Sequence, residues 1–239
     1  MAQAEEEEIP FGASVVIIEL TDNDIELQAF VDGVEWKRVT VSDPNEHKIF
    51  HGRATGRLRR QGGLSEMFWA SEPTHYLEDE PDFDGTVKSF LKRFPAGVYE
   101  FEGVTTVGER EIEGEATLTH VLPALPEILA PVSETDDPPV VDPDDLVIAW
   151  EPVTTRFIGD GPVEIIEYQV ILDQVDPRRE MPWVDGGTPR SLINLPGSVT
   201  SMTVPPEFLL SGAAYEFEIL AIEVSGNSTI SVGEFEVEE

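Results

Sequence analysis

The chain has 239 residues, 48 acidic against 15 basic, a net charge of −33 and no cysteine. The missing cysteines exclude disulfides, thiolate metal sites and cysteine nucleophiles together. The negative field repels phosphate backbones and anionic membranes, which argues against nucleic acid as a partner and against direct membrane insertion.

Hydrophobic residues make up 40 % of the chain, enough for real cores, and the length leaves room for two sandwiches of roughly 100 residues each. The acidity is distributed, at −18 up to Val140 and −15 beyond it, so it is not a tail. Lysine is scarce (Lys37, Lys48, Lys88 and Lys92). An acidic, lysine-poor surface suits salty water, where ions screen the repulsion between carboxylates, and it also serves ordinary solubility. No apolar run approaches the roughly 20 residues of a membrane-spanning helix.

Residues 1–10 read as a disordered acidic leader. Ala2-Gln3-Ala4 has the small-residue pattern that ends a signal peptide, without the charged and apolar regions that precede one. Ala13 to Leu20, Ile25 to Val31 and Glu35 to Val41 are β-branched runs, and Asp32-Gly33 between the last two predicts a hairpin turn. His47 to Phe50, Arg57 to Arg59 and Leu64 to Ala70 are expected as further strands broken by glycines. Val87, Phe90, Leu91 and Phe94 then recur at helical spacing. They predict one short helix over about 85–94, capped by Asp84 or Thr86 and stopped by Pro95. Strands return over Gly97 to Gly103 and Glu111 to Val121, with Ile112, Ala116 and Leu118 facing away from Glu113 and Glu115.

Six prolines between Pro123 and Pro143 lie among acidic and small polar residues. Proline at that density cannot occupy a central strand and predicts a semi-rigid spacer. Leu122, Leu125, Ile128 and Leu129 at its start suit packing against the first domain.

The region after it alternates strongly. Tyr215, Phe217, Ile219 and Ala221 share one face, Glu216 and Glu218 the other, with Leu220 as the exception. Leu209 stands six residues before Tyr215, and Gly226-Asn227-Ser228 follows the strand. Leu146 to Trp150, then Glu151-Pro152, Ile165 to Leu172 with Tyr168 and Val170, and Ser201 to Val204 complete a set that resembles a fibronectin type III domain. The resemblance covers about residues 140–239. It implies an immunoglobulin-like sandwich, and it departs from the family between Leu172 and Met202, where the chain is longer and more irregular. No Arg-Gly-Asp tripeptide occurs, so the resemblance does not extend to integrin binding.

The candidate chemistry is sparse. His47 and His51 lie four apart without a third ligand nearby in sequence, and His75 and His120 are isolated. Nucleophile-elbow, phosphate-loop and dinucleotide patterns are absent. Three oxygen-rich clusters suit calcium: Asp22-Asn23-Asp24 with Glu26, Glu78-Asp79-Glu80 with Asp82 and Asp84, and Asp142 with Asp144-Asp145. None has the glycine and distal glutamate of a helix-loop-helix calcium site, and solvated turns account for them as well. Arg53, Arg57, Arg59 and Arg60 form the densest basic patch. They read either as cross-strand ion pairs within the domain or as a contact for an acidic partner. Phe68, Trp69 and Trp183 are candidates for stacking on a sugar ring or for the core. Asn227-Ser228-Thr229 is formally a glycosylation sequon, and the turn of the family pattern explains it equally.

These readings predict an all-β protein of two sandwiches. They divide it into a leader (1–10), a first domain (11–122) with the inserted helix, a proline-rich linker (123–140) and a fibronectin type III-like domain (141–239). No catalytic, cofactor-binding or metal residue is assigned, and calcium is the one ion the composition suits. The expected role is a non-catalytic extracytoplasmic binding or adhesion module, secreted, periplasmic or at the cell surface, acting on protein or glycan through loops and strand edges. The alternative is a polysaccharide-active enzyme or accessory using paired carboxylates of the first domain.

Overall fold

The computed structural model describes residues 9–75, 83–135, 137–175 and 190–239, with the side chains of Phe83 and Asp84 left aside. The chain is all-β and divides into two compact units. The first runs to His120 and the second from Val121 to Glu239, apart from Leu20–Asp22, which groups with the second.

The first unit contains β1 (Ile9–Pro10), β2 (Ala13–Leu20), β3 (Asp24–Ser42), β4 (Lys48–Arg53), α1 (Gly56–Gln61), β5 (Leu64–Ala70), β6 (Thr74–His75), α2 (Phe83–Arg93), β7 (Gly97–Thr105) and β8 (Glu111–Leu118). Its strands run in the order β1-β8-β7-β3-β2, and β4, β5 and β6 are hydrogen-bonded along β3. The 19-residue β3 is the spine. Its first half pairs with β5 and β6 and its second half with β4 and β7, antiparallel throughout.

Three sequence expectations are corrected here. Asp32-Gly33 is no hairpin turn, because β3 runs straight through it with only register irregularities between Asp32 and Arg38. A side chain on Gly33 would meet the Phe11 ring at 3.0 Å and Ile112 at 3.4 Å, so the glycine marks a close approach rather than a reversal. Arg57 to Arg59 is helical. The run Arg-Leu-Arg-Arg-Gln favours helix, and Gly62-Gly63 terminates it, the Gly63 N–H donating to the Leu58 carbonyl at 3.0 Å. Ile9–Pro10, expected in the leader, pairs parallel with Ile112 and Glu113 of β8. Helix α2 is present and starts at Phe83, ahead of the expected caps, with Val87 and Phe90 buried and the Phe90 and Phe94 rings 4.9 Å apart.

The second unit contains β9 (Ile128–Ala130), β10 (Val140–Val141), β11 (Val147–Trp150), β12 (Ile165–Gln174), β13 (Arg190–Pro196), β14 (Ser201–Thr203), β15 (Ala214–Glu223) and β16 (Ser228–Val237). One sheet is ordered β14-β11-β9 and the other β13-β12-β15-β16, with β10 parallel to the end of β16. Between the two sheets lie Trp150, Tyr168, Val170, Phe217, Ile219 and Phe235, and the Trp150 and Tyr168 rings meet edge to face at 5.2 Å.

The Leu209–Tyr215 spacing has a physical reason. Tyr215 is the second residue of β15, its hydroxyl accepts from the Leu210 N–H at 3.0 Å and donates to the Phe208 carbonyl at 3.2 Å, and Leu209 is buried. This is a tyrosine corner, which fixes the crossing between sheets. Leu220, the exception to the alternation, joins Ile171, Ile230 and Ile222 in a second apolar cluster.

The proline-rich stretch, Leu122 to Leu129 included, groups with this unit rather than with the first domain or as a spacer standing apart. β9 pairs with β11 through Ala130–Ala149 and Ile128–Trp150. The Asn227 side-chain amide donates to the Val121 carbonyl at 3.0 Å, and the Thr229 hydroxyl donates to the Ala124 carbonyl at 3.1 Å. Asn227 is therefore buried, with its amide nitrogen committed, which explains the sequon as structure. Prolines interrupt the segment yet leave three residues free to pair at a sheet edge, where proline is tolerated.

Candidate functional site

The first unit carries an unusual arrangement of charge. Across β7 and β8, Glu100 stands directly opposite Glu115 and Glu102 opposite Glu113, all four exposed. On the far side of β3, Arg38 stands opposite Arg53 and Thr40 opposite His51. One sheet thus grades from carboxylates at β7–β8 to cations at β3–β4. Like charges in direct cross-strand register repel, so neither end of the gradient is explained by stability.

A cavity of about 310 Å³ lies along this gradient, lined by Arg38, Thr40, Lys48, His51, Glu102, Glu111 and Glu113 among others. A second, of about 250 Å³, is lined by Lys37, Arg38, His51, Arg53, Arg59 and Glu109. In the second cavity Lys37 forms an ion pair with Glu109, which sits on the β7–β8 turn. The Lys37 ammonium, with Arg59 and Arg38 beyond it, holds the Glu109 carboxyl below the usual carboxylate range.

The structure separates several residues that the sequence places together. His51 shares a hydrogen bond of 3.0 Å with the Thr40 hydroxyl through Nδ1, whereas His47 lies in the β3–β4 turn, its Nδ1 3.4 Å from Asp43. His75 faces Asp24 at 3.7 Å, and His120 Nε2 lies 2.8 Å from the Phe94 carbonyl. Among the described residues no group of three or more histidines and carboxylates is placed to hold a metal ion. The Asp142 cluster folds into a turn in which the Asp144 N–H donates to the Asp142 carboxylate at 2.9 Å. The cluster from Glu78 to Asp84 and the Trp183 loop lie outside the described residues or side chains. Trp69 is half-buried and stacks on Phe50 at 5.1 Å, and its neighbour Phe68 is the exposed aromatic, at 60 %.

Asp43 is structural and gives a pH prediction. Burial pushes its carboxyl up, yet the backbone N–H groups of His47 (2.9 Å) and Asn45 (2.8 Å) and the His47 ring outweigh that and hold it below its ordinary 3.8. A depressed folded value stabilises the native state fully above the unfolded value and loses that contribution as pH falls through the folded one. Asp43→Ala is expected to cost about 1 kcal/mol at pH 7, as for lost caps of this kind. The difference from wild type should shrink below about pH 4 in urea denaturation. A difference that stays constant down to pH 2 would assign the cost to packing.

The arginine patch bears on the two readings its sequence allows. Arg53, Arg57, Arg59 and Arg60 are all exposed, on the end of β4 and on α1. Among the described residues none of the four forms an ion pair. Among the described residues the expected cross-strand salt bridges are not formed at this patch, because Arg53 stands opposite another arginine, Arg38, and the other three arginines lie on α1 rather than on a strand. The Arg-rich helix was missed in sequence, although the glycine pair behind it is a helix-stop signal.

No protein-family model matches the chain, and no curated protein matches it. Three of the solved structures it is similar to are the following. With the FN1–FN3 domains of chicken CNTN1 it shares 9 % identity over 97 % of this chain and 65 % of that one, at a TM-score of 0.35. A tetra-tandem repeat in the extending region of a large adhesion protein gives 12 % identity over 95 % of this chain and 50 % of that one, at 0.28. A 1.5-MDa bacterial ice-binding adhesin, studied for host cell surface retention, gives 12 % over 97 % and 66 %, at 0.25. The chain thus spans between half and two-thirds of the length of those structures, and likenesses this distant say nothing of function. The two sheets of the second unit, its Trp150–Tyr168 core and its tyrosine corner stand on their own geometry. That unit is a fibronectin type III-like sandwich.

Proposed function

We propose that the chain is a non-catalytic binding or adhesion module working outside the cytoplasm. It engages an anionic protein or glycan ligand through the β4–α1–β5 edge of its first unit. The observation that carries this reading is the set of four exposed guanidiniums that form no ion pair among the described residues, in a strongly acidic chain. Arginine presents a planar fork of donors that matches carboxylate, sulfate or phosphate oxygens in pairs, and it sheds water more readily than lysine. Exposed Phe68 on β5 adds an apolar anchor in the same stretch of chain.

The salt dependence is the test. At about 10 mM salt the screening length is near 30 Å, so the net charge repels an anionic ligand as a whole. Near 0.15 M it falls to about 8 Å, distant carboxylates are screened, and local arginine contacts remain. Binding of labelled heparin oligosaccharide or of a capped hexaglutamate peptide, followed by fluorescence anisotropy, is therefore expected to be tightest at intermediate salt. The R57E/R60E double variant should weaken it about tenfold with unchanged circular dichroism. Loss of binding at every salt concentration, or binding indifferent to the charge reversal, would sink this reading.

A further inference from the structure

Arg38 and Arg53, directly opposed across β3 and β4, share their cavity with Lys37, Arg59 and His51. One carboxylate, that of Glu109, lines the same space. Four permanent cations around a single anion leave an excess of positive charge. At about 250 Å³ the cavity exceeds the roughly 30 Å³ share of one water several-fold, enough for a carboxylate group with its hydration.

Glu109 reaches this space from a turn, with φ at 53°, in the left-handed region that non-glycine residues occupy at some cost. The two members of the ion pair differ in setting. The Lys37 side chain is 12 % exposed and built into the wall, whereas that of Glu109 is 71 % exposed. The cation is fixed and the anion faces solvent, so the anion is the member that another carboxylate can replace.

We propose that this cavity is a carboxylate-binding subsite, that Glu109 is its built-in occupant, and that a glutamate or aspartate side chain of an acidic polypeptide displaces Glu109 on binding. This rests on the reading that the β4–α1–β5 edge receives an anionic ligand, and it names the ligand's chemistry. A polypeptide is favoured over a uronate glycan because α1 leads directly into β5, which among the described elements is hydrogen-bonded to β3 alone. A second extended chain can pair with the backbone groups of a strand edge, and a glycan cannot reproduce that ladder. Glu109 then acts as a tethered competitor that sets a threshold on affinity and rejects weakly anionic partners.

The experiment measures binding of a capped hexaglutamate peptide at 0.15 M salt to the full chain and three variants. Glu109→Gln is expected to tighten binding about fivefold, the scale of an exposed ion pair. Glu72→Gln, which removes the same charge from an exposed loop position after β5, should change it less than about twofold. Lys37→Met should weaken it about fivefold. Equal effects of Glu109→Gln and Glu72→Gln would overturn the subsite while leaving the binding edge standing, provided that R57E/R60E still weakens binding about tenfold. Failure of the wild type to bind the peptide at any salt concentration would overturn both. Tighter binding of a galacturonate oligosaccharide than of the peptide, enhanced likewise by Glu109→Gln, would overturn the polypeptide assignment.

Discussion

Phe217→Ala is expected to cost about 3–5 kcal/mol, the range for truncating a fully buried aromatic. Phe217 has no exposed surface and lies between the two sheets of the second unit, its ring 6.1 Å from that of Phe235. It also stands directly opposite Gly233 on β16. A side chain added at Gly233 would come within 2.4 Å of Phe217 Cζ and 2.6 Å of Cε1, so the ring covers the glycine and fills the space where a side chain would be. Gly233→Ala alone is therefore expected to destabilise by about 1–3 kcal/mol through overpacking. The two changes should not add. Once the ring is gone the new methyl has room, and the double variant should be at least about 1 kcal/mol more stable than the sum of the singles implies. Urea denaturation followed by far-ultraviolet circular dichroism reads all three values. Strict additivity would mean that the ring moves freely in the native core.

Gly63→Ala is expected to be the most damaging single-methyl change in the first unit, at about 3 kcal/mol or more. Gly63 has φ at 90°, and a Cβ there would lie 2.2 Å from the Trp36 carbonyl oxygen and 2.9 Å from its carbon. Both are backbone atoms of the central strand, so no rotamer change relieves the clash. Gly62 next to it, at φ 131°, has nothing within 4 Å of that position, so Gly62→Ala meets backbone strain alone and should cost about 1–2 kcal/mol. The comparison isolates the clash. A fall in Tm of more than about 10 °C for Gly63→Ala is expected, against a few degrees for Gly62→Ala. Similar values for the two would show that β3 and β5 separate easily at Trp36. Gly63 also joins the arginine-bearing helix to β5, so the same substitution should disturb the binding edge.

Alternation was enough to read several elements. β2 and β5 have the bounds expected from the residues, and Tyr215, Phe217, Ile219 and Ala221 line one core as their period of two requires. Asp32-Gly33 misled because a glycine between two β runs has two physical meanings. It permits a turn, and it permits a neighbour to come close. Only the positions of Phe11 and Ile112 select the second. The stretch from Val121 to Ala130 was opaque for a related reason. What ties it to the second unit is the pairing of β9 with β11 together with side-chain bonds from Asn227 and Thr229, about a hundred residues away.

The chain's composition and period by themselves determined that it is acidic, cysteine-free and all-β, and the residues of its second half carry a resemblance to fibronectin type III domains. Those properties are sums over residues or local spacings, and they survive without knowledge of contacts. The tertiary structure alone decided that Arg38 opposes Arg53, that Glu109 turns back to Lys37 across 72 positions, and that among the described residues four arginines form no ion pair. Charge recognition depends on a few ångströms of separation, because screening and competing water erase it beyond that. Such separations are set by strand register and turn conformation rather than by the order of residues along the chain.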